Sequence, residues 1–306
     1  MKKFLIQIVL FIILSAVFGE GIVRVFNLVS DIPQRQLDPE TGLQLYKPGQ
    51  TGYSKLSGEN WRVNDYGWLG VTNTDKNVQF SVIGDSYIEN LMNPITCNQG
   101  YILQELYQDY GFFEAGRSGV SFIEAMEISK KLNKDINASY HLIYLNNNDF
   151  SESIANKRRL SDIVQIDLEK NEVLKAKMKA PLAKKILYST KLLYYFYGRF
   201  PLFVAEQNKG ETKEKKVKAK TEFDFEAYNK LFAYSAKNYN RDKIILVFHP
   251  GINEELLSLA KNHDFKFIAL DSKGDETWAI NEADSHWSCY GHKRVALQVK
   301  QYLDNL

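Results

Sequence analysis

Ser86 and His286 are the residues of this chain whose types and settings best suit covalent chemistry. Ser86 stands in Gly84-Asp85-Ser86-Tyr87, directly after the apolar run Val78-Gln79-Phe80-Ser81-Val82-Ile83. His286 stands in Asp284-Ser285-His286-Trp287, just ahead of a C-terminal helical pattern. A serine hydroxyl is a weak nucleophile until a base takes its proton, and that base works best when a carboxylate orients it. The chain holds five histidines, so one with a carboxylate two positions before it stands out. Such a set breaks or transfers esters, and the two segments point to a hydrolase or acyltransferase.

Taken alone, Gly84-Asp85-Ser86 is equally a turn in which Asp85 and Ser86 cap the next helix. Order along the chain argues for more. Gly119 follows the second strand-like run in Ala115-Gly116-Arg117-Ser118-Gly119, Asn148 follows the third in Asn146-Asn147-Asn148-Asp149, and Asp284 and His286 follow the fifth. A tetrahedral acyl intermediate needs donors aimed at its oxyanion, and losing one costs about 3 kcal/mol of barrier. The backbone N–H groups of Ser86 and Gly119 and the side-chain amide of Asn148 could supply three. Glycine at 119 lets a backbone N–H approach a ligand with no Cβ in the way; an ordinary turn glycine is the alternative.

These residues need a scaffold, and the rhythm from Val78 onward supplies one. Strands are expected at Val78–Ile83, Gly111–Glu114, Tyr140–Leu145, Lys243–Phe248 and Phe265–Leu270. Helices are expected near 99–109, 122–132, 224–237, 253–263 and 290–304. Strand–helix alternation implies an α/β domain with a parallel sheet covered on both faces. In such sheets working residues gather beyond the carboxyl ends of the strands, at a topological switch point. Residues 151–222 interrupt the rhythm as an insertion. Within it a long aromatic helix is expected over 180–198, serving as a lid, as a membrane-surface contact or as a packed element of the main domain. The lysine-rich stretch 206–220 reads as a mobile loop.

The first 23 residues read as a membrane anchor. Lys2-Lys3 precede an apolar run to Phe18, and with Gly19, Ile22 and Val23 about 20 residues could cross a bilayer, with Glu20 near the far interface. The basic end stays in the cytoplasm, which places the remainder outside. A cleaved signal peptide is the rival, but no Ala-x-Ala site follows the run. Residues 24–75, punctuated by Pro33, Pro39, Gly42, Pro48, Gly49 and Gly52, read as a stalk followed by short strands or hairpins, with Trp61 and Trp68 as packing aromatics. Residues 76–306 form the main domain. A net charge of +2 gives no reason to expect nucleic acid as a partner, and no Cys/His cluster has metal-site spacing. Outside the cytoplasm Cys97 and Cys289 could form a disulfide near the reactive rim; two buried free thiols are the alternative. Of the other histidines, His249 could approach the same rim from the end of the fourth strand. His292 reads as a capping or surface residue, and His141 and His263 as structural. Trp287 either lines the pocket or packs.

The blocks together resemble the SGNH (GDSL-type) hydrolase superfamily over residues 76–150 and 224–306. The resemblance implies Ser86 as nucleophile, Gly119 and Asn148 as further oxyanion donors, and His286 with Asp284 as base and orienting acid. It implies a flavodoxin-like three-layer α/β/α sandwich with strand order 2-1-3-4-5, and no metal or other cofactor. Two positions depart from the usual pattern. Asn146 replaces the leading glycine of the third block, and Asp284 lies two residues before the histidine rather than three. The Asp-x-His-Trp form, with Trp61 to Gly67 ahead of the serine, is similar to a membrane-anchored branch that includes polysaccharide O-acetyltransferases. The expected activity is therefore an esterase or O-acyltransferase acting on an extracytoplasmic glycan. Acylated carbohydrate or another small ester is its substrate, the membrane its anchorage, and polysaccharide-modifying membrane proteins its associates. The alternative is a non-catalytic tethered module that binds glycan or supports an assembly complex.

Overall fold

The computed structural model describes residues 1–200 and 223–306; the lysine-rich stretch 206–220 lies outside them. The chain opens with α1 (Lys2–Val25), 24 residues whose run from Phe4 to Phe18 is apolar on every side apart from Gln7 and Ser15. At about 1.5 Å per residue it is roughly 36 Å long, enough to span a hydrocarbon core of about 30 Å. Residues 1–18 are all exposed. Two hairpins follow, β1 (Arg35–Leu37) with β2 (Gln44–Tyr46) and β3 (Thr51–Ser54) with β4 (Glu59–Arg62). They are packed rather than free-standing: Leu43, Leu45 and Trp68 enter the main core, while Trp61, Val63 and Leu69 form a cluster with Tyr46. The chain then runs antiparallel along the sheet edge, bridging Leu69 to Gly116 and Thr72 to Phe113.

Next come β5 (Val78–Gly84), α2 (Ser86–Glu89), α3 (Gln99–Leu106), β6 (Tyr110–Gly116), α4 (Phe122–Ile136), β7 (Tyr140–Leu145) and α5 (Asn147–Ser153). After a small hairpin, β8 (Gln165–Asp167) with β9 (Glu172–Leu174), come α6 (Pro181–Ser189) and α7 (Lys191–Arg199). The last part holds α8 (Phe225–Asn238), β10 (Ile244–Phe248), α9 (Glu254–Asn262), β11 (Lys266–Ala269), β12 (Ala279–Asn281), β13 (Asp284–Trp287) and α10 (Cys289–Leu303). Five parallel strands pair in the order β11-β10-β7-β5-β6, which is the 2-1-3-4-5 order with β5 first. Strand alternation divides the core into two layers. Ile83, Phe113, Ile143 and Leu246 face α4, α8 and α9; their neighbours Val82, Phe112, Leu142 and Ile245 face α3 and α10. The result is an α/β/α sandwich whose chain reverses direction at β5, so the crevice beyond β5 and β7 is its switch point.

Within the insertion Val164 and Ile166 are buried in the main core and Gln165 is fully enclosed. That glutamine accepts from Arg159 and the Leu160 N–H and donates to two carbonyls, which is why a polar residue can sit there. The single helix expected over 180–198 is two, broken at Thr190, whose backbone is extended at φ −106°, ψ 98°. The break is fixed from outside. The Glu20 carboxylate of α1 accepts the N–H groups of Lys191 at 3.0 Å and Leu192 at 2.7 Å, capping α7 with a negative charge at its positive end. No periodicity within 180–198 could reveal a cap supplied from residue 20.

Candidate active site

The site is assembled at the switch point. β5 ends at Gly84, and Asp85 then caps α2, its Oδ1 accepting the Tyr87 N–H at 3.0 Å. The helix-cap reading and the chemical reading of this segment therefore hold together: Asp85 is the cap and Ser86 the first helical residue. α2 lies hard against the end of β6, because a Cβ on Gly116 would meet the Glu89 nitrogen at 2.4 Å. A side chain at 116 would force α2 or the end of β6 to shift.

His286 reaches Ser86 from the other end of the chain. Asp284 and His286 lie on β13, whose two-residue period puts them on one face with Ser285 on the other. This accounts for a carboxylate two positions before the histidine: on a strand, two is the spacing that brings the groups together. His286 Nδ1 donates to Asp284 Oδ1 at 2.6 Å, and the His286 backbone N–H donates to the same oxygen at 3.1 Å. With Nδ1 protonated, Nε2 is free to accept, and it accepts from Ser86 Oγ at 2.8 Å. The hydrogen bonds from His286 hold the Asp284 carboxyl below its ordinary range, so it is charged and fixes the neutral tautomer. The chain Ser86–His286–Asp284 is continuous, with His286 27% and Asp284 39% exposed at the side chain.

The neighbours of this chain lock it. Tyr87 packs its ring on His286 at 4.7 Å between centroids and donates from its hydroxyl to the Ser285 carbonyl at 3.1 Å. Asn93 donates to the Trp287 carbonyl at 2.8 Å. Cys97 and Cys289 are disulfide-bonded, tying the start of α10 to the segment before α3. Trp287 is packing, 4% exposed against Tyr87, Tyr144 and His249.

His249 does not reach the rim. It is buried beneath Tyr87 and Trp287, and burial pushes its imidazole down to about 3, so it stays uncharged. His292 is no surface or capping residue: it is 1% exposed on α10, Gln99 donates to its Nδ1 at 3.1 Å, and the cap is Ser288. His141, bonded to Ser81 at 2.6 Å, and His263, stacked on Phe232, are structural as expected.

Gly119 follows β6 at φ +82° with open space where a Cβ would stand, a backbone that side-chain-bearing residues rarely adopt. Its amide direction is set by the preceding carbonyl, since the peptide unit is planar and trans. The Ser118 carbonyl accepts from Arg117 at 3.0 Å and from Arg35 at 3.3 Å. Arg117 is itself completely buried in an ion pair with Glu124 at 2.6 Å. Two guanidinium groups thus pin one end of that peptide while its N–H points away from them. Asn148 lies exposed on the first turn of α5, and its side-chain amide bonds to nothing among the described residues.

Asn146 needs no glycine-like backbone, having φ −110°. Its carbonyl oxygen Oδ1 accepts the Asn148 N–H at 2.8 Å, and its Nδ2 donates to Asp85 at 2.9 Å and to Asp149 at 3.3 Å. Asp149 closes a capping box by accepting the Asn146 N–H at 2.7 Å. Burial raises the Asp85 carboxyl to about 6, and burial together with the Asp85 charge raises Asp149. One amide therefore joins the turn bearing Ser86 to the turn bearing Asn148.

Neither Tyr87 nor the Arg35–Arg117–Glu124 support is visible as a pattern in the sequence; each depends on contacts between distant segments. A concavity of about 1010 Å³ lies away from Ser86, lined by Tyr53, Trp61, Arg62, Tyr66 and others near the β3–β4 hairpin. It contains no member of the Ser86 cluster.

No family model matches the sequence, and no curated protein matches it. Solved structures do. The chain is similar to TesA at 12% identity and a TM-score of 0.41, covering 74% of this chain and 98% of that one. It is similar to a member of the lipolytic protein G-D-S-L family from Veillonella parvula at 13% identity and a TM-score of 0.35, covering 75% and 100%. An acetylxylan esterase from Geobacillus stearothermophilus matches at 11% identity and a TM-score of 0.36, covering 74% and 94%.

Proposed function

We propose that this chain is a serine-dependent ester hydrolase or O-acyltransferase of the SGNH type, held by α1 in a membrane with its main domain outside the cytoplasm. The observation that carries the reading is the unbroken chain from Ser86 Oγ through His286 to Asp284, at 2.8 and 2.6 Å. A tethered binding module has no need of a serine hydroxyl within proton-transfer distance of an oriented imidazole. Asn146, the departure that best suited such a module, instead caps α5 and ties the turns together.

In the reaction Ser86 Oγ attacks the ester carbonyl carbon while its proton passes to His286 Nε2. Negative charge gathers on the former carbonyl oxygen, where the N–H groups of Ser86 and Gly119 and the Asn148 amide donate to it. The intermediate collapses, His286 returns the proton to the departing alkoxide, and the alcohol leaves an acyl-serine. Water, or a sugar hydroxyl, then gives its proton to His286 and attacks the acyl carbon. His286 returns that proton to Ser86 Oγ as the acyl bond breaks, and the acid or a new ester is released. Asp284 stays ionised throughout and stabilises the imidazolium.

The substrate in this reading is an acetylated extracytoplasmic glycan. Its supports are the Asp284-x-His286-Trp287 block and the apolar helix ahead of the domain. Acetate release from a panel of acetylated glycans, with and without an acceptor sugar, tests it with the Ser86→Ala chain as blank. Serine-dependent release supports the reading, and acetyl appearing on the acceptor selects transfer over hydrolysis. Turnover of simple aryl esters with no release from any glycan would sink the glycan assignment and leave the esterase.

A further inference from the structure

The α6–α7 hairpin carries an apolar face that nothing among the described residues covers. Leu193, Phe196, Tyr197 and Phe200 recur at i, i+3, i+4 and i+7 along α7 and its end, each between 44% and 58% exposed. Leu182 and Ile186 continue the face on α6 at 75% and 61% exposure. The charge of this segment is one-sided: from Lys177 to Phe200 there are five lysines, one arginine and no acidic residue. Tyrosines at 188, 194, 195 and 197 fill much of the remainder.

Position supplies the occupant. α7 starts on the far end of α1, where Glu20 caps it, Leu192 meets Gly19 and Arg24 donates to the Ser189 carbonyl at 2.8 Å. Lys191 is tied beside it to Asp31 at 3.0 Å. The hairpin therefore begins at the level where the exposed apolar helix meets the folded domain. If α1 crosses a bilayer, that level is the lipid–water interface.

We propose that the α6–α7 hairpin lies in the interface of the bilayer spanned by α1, its apolar stripe in the acyl boundary and Lys184 and Lys185 on anionic headgroups. A basic amphipathic helix rich in aromatic residues is suited to that zone by composition, and cations gather at an anionic leaflet. The proposal rests on the membrane-anchor reading of α1 and is independent of the chemistry at Ser86. It fastens the catalytic domain to the membrane at two elements instead of letting it swing on one.

The test uses the full chain in vesicles of phosphatidylcholine and phosphatidylglycerol. Because Cys97 and Cys289 are paired, a nitroxide label reacts only at an introduced thiol. Labels at Phe196→Cys, Tyr197→Cys, Leu10→Cys and Lys130→Cys are compared for collision with oxygen, which partitions into lipid, and with a water-soluble nickel chelate. The expected result is that labels at 196 and 197, like that at 10, are oxygen-accessible and nickel-shielded, while that at 130 is open to nickel. In pure phosphatidylcholine the oxygen-to-nickel ratio at 196 should fall several-fold, with that at 10 unchanged. Nickel access at 196 and 197 with shielding at 10 would overturn the hairpin proposal and leave the anchor standing. Exclusion of both quenchers at 196 and 197 would also overturn it, since a second copy or another part of the chain would then cover the face. Nickel access at 10 removes the anchor and the proposal together. An unchanged ratio at 196 in phosphatidylcholine would overturn the role given to the lysines.

Discussion

Replacing Asp284 by asparagine asks how much the orienting carboxylate contributes in a setting this open. Asp284 accepts two bonds from His286, the shorter at 2.6 Å from Nδ1. A hydrogen bond to a charged group contributes about 1.5–3 kcal/mol, which corresponds to roughly 10- to 150-fold in rate. A sequestered triad carboxylate is worth more, about 10,000-fold on the same substitution. Asp284 is 39% exposed at the side chain, so water can bond to Nδ1–H in its place and the smaller range applies. The assay is kcat/KM for p-nitrophenyl acetate at pH 8 with the full chain in detergent, with Asp284→Asn made in both the wild-type and the Ser86→Ala background. In the wild-type background the loss should fall in that range. In the Ser86→Ala background it should cost nothing further, because groups that act as a unit are not additive. A loss under about 3-fold, or an equal loss in both backgrounds, would refute the argument from geometry.

Three other outcomes are expected. Asn148→Ala should lower kcat by about 100-fold with little change in KM, because a donor to the oxyanion acts in the transition state; steady-state kinetics decide it, and a change confined to KM would make Asn148 a substrate contact. The Cys97–Cys289 bond closes a loop across 192 residues, so replacing both by serine should cost on the order of 5 kcal/mol and about 10 °C in Tm, read by calorimetry. Glu114 is fully buried and raised to about 7 from an ordinary 4.5, so between those values the folded chain keeps a proton that the unfolded chain has released. Its contribution is complete below pH 4.5 and falls by about 3 kcal/mol as pH rises to 7, so Glu114→Gln should flatten the decline in Tm across that window.

Much of this molecule is legible along the chain because its signals are local. The five core strands announce themselves as apolar runs, buried on both faces, and the helices between them by period, so Tyr140–Leu145 is both the expected and the observed strand. Ser86, Gly119 and Asn148 each stand just past the end of a core strand, where such sheets gather their working residues. What escaped is non-local. A capping carboxylate from α1 divides α6 from α7 at Thr190, an amide from the third block holds Asp85 in the first, and Arg35 and Arg117 converge on one carbonyl. His292 is buried rather than capping because α10 begins at Cys289 with Ser288 as its cap, which leaves residue 292 one turn inside the helix on its packed face. Even the departure at Asp284 became intelligible only as a strand, where alternate residues share a face.

Covalent capture of the serine tests the central claim most directly. The full chain, treated with a fluorophosphonate probe and digested, should yield one modified peptide carrying the adduct on Ser86. Labelling should vanish in Ser86→Ala and slow sharply in His286→Ala. Undiminished labelling of Ser86→Ala, or an adduct on any other residue, would contradict the assignment of Ser86 as nucleophile.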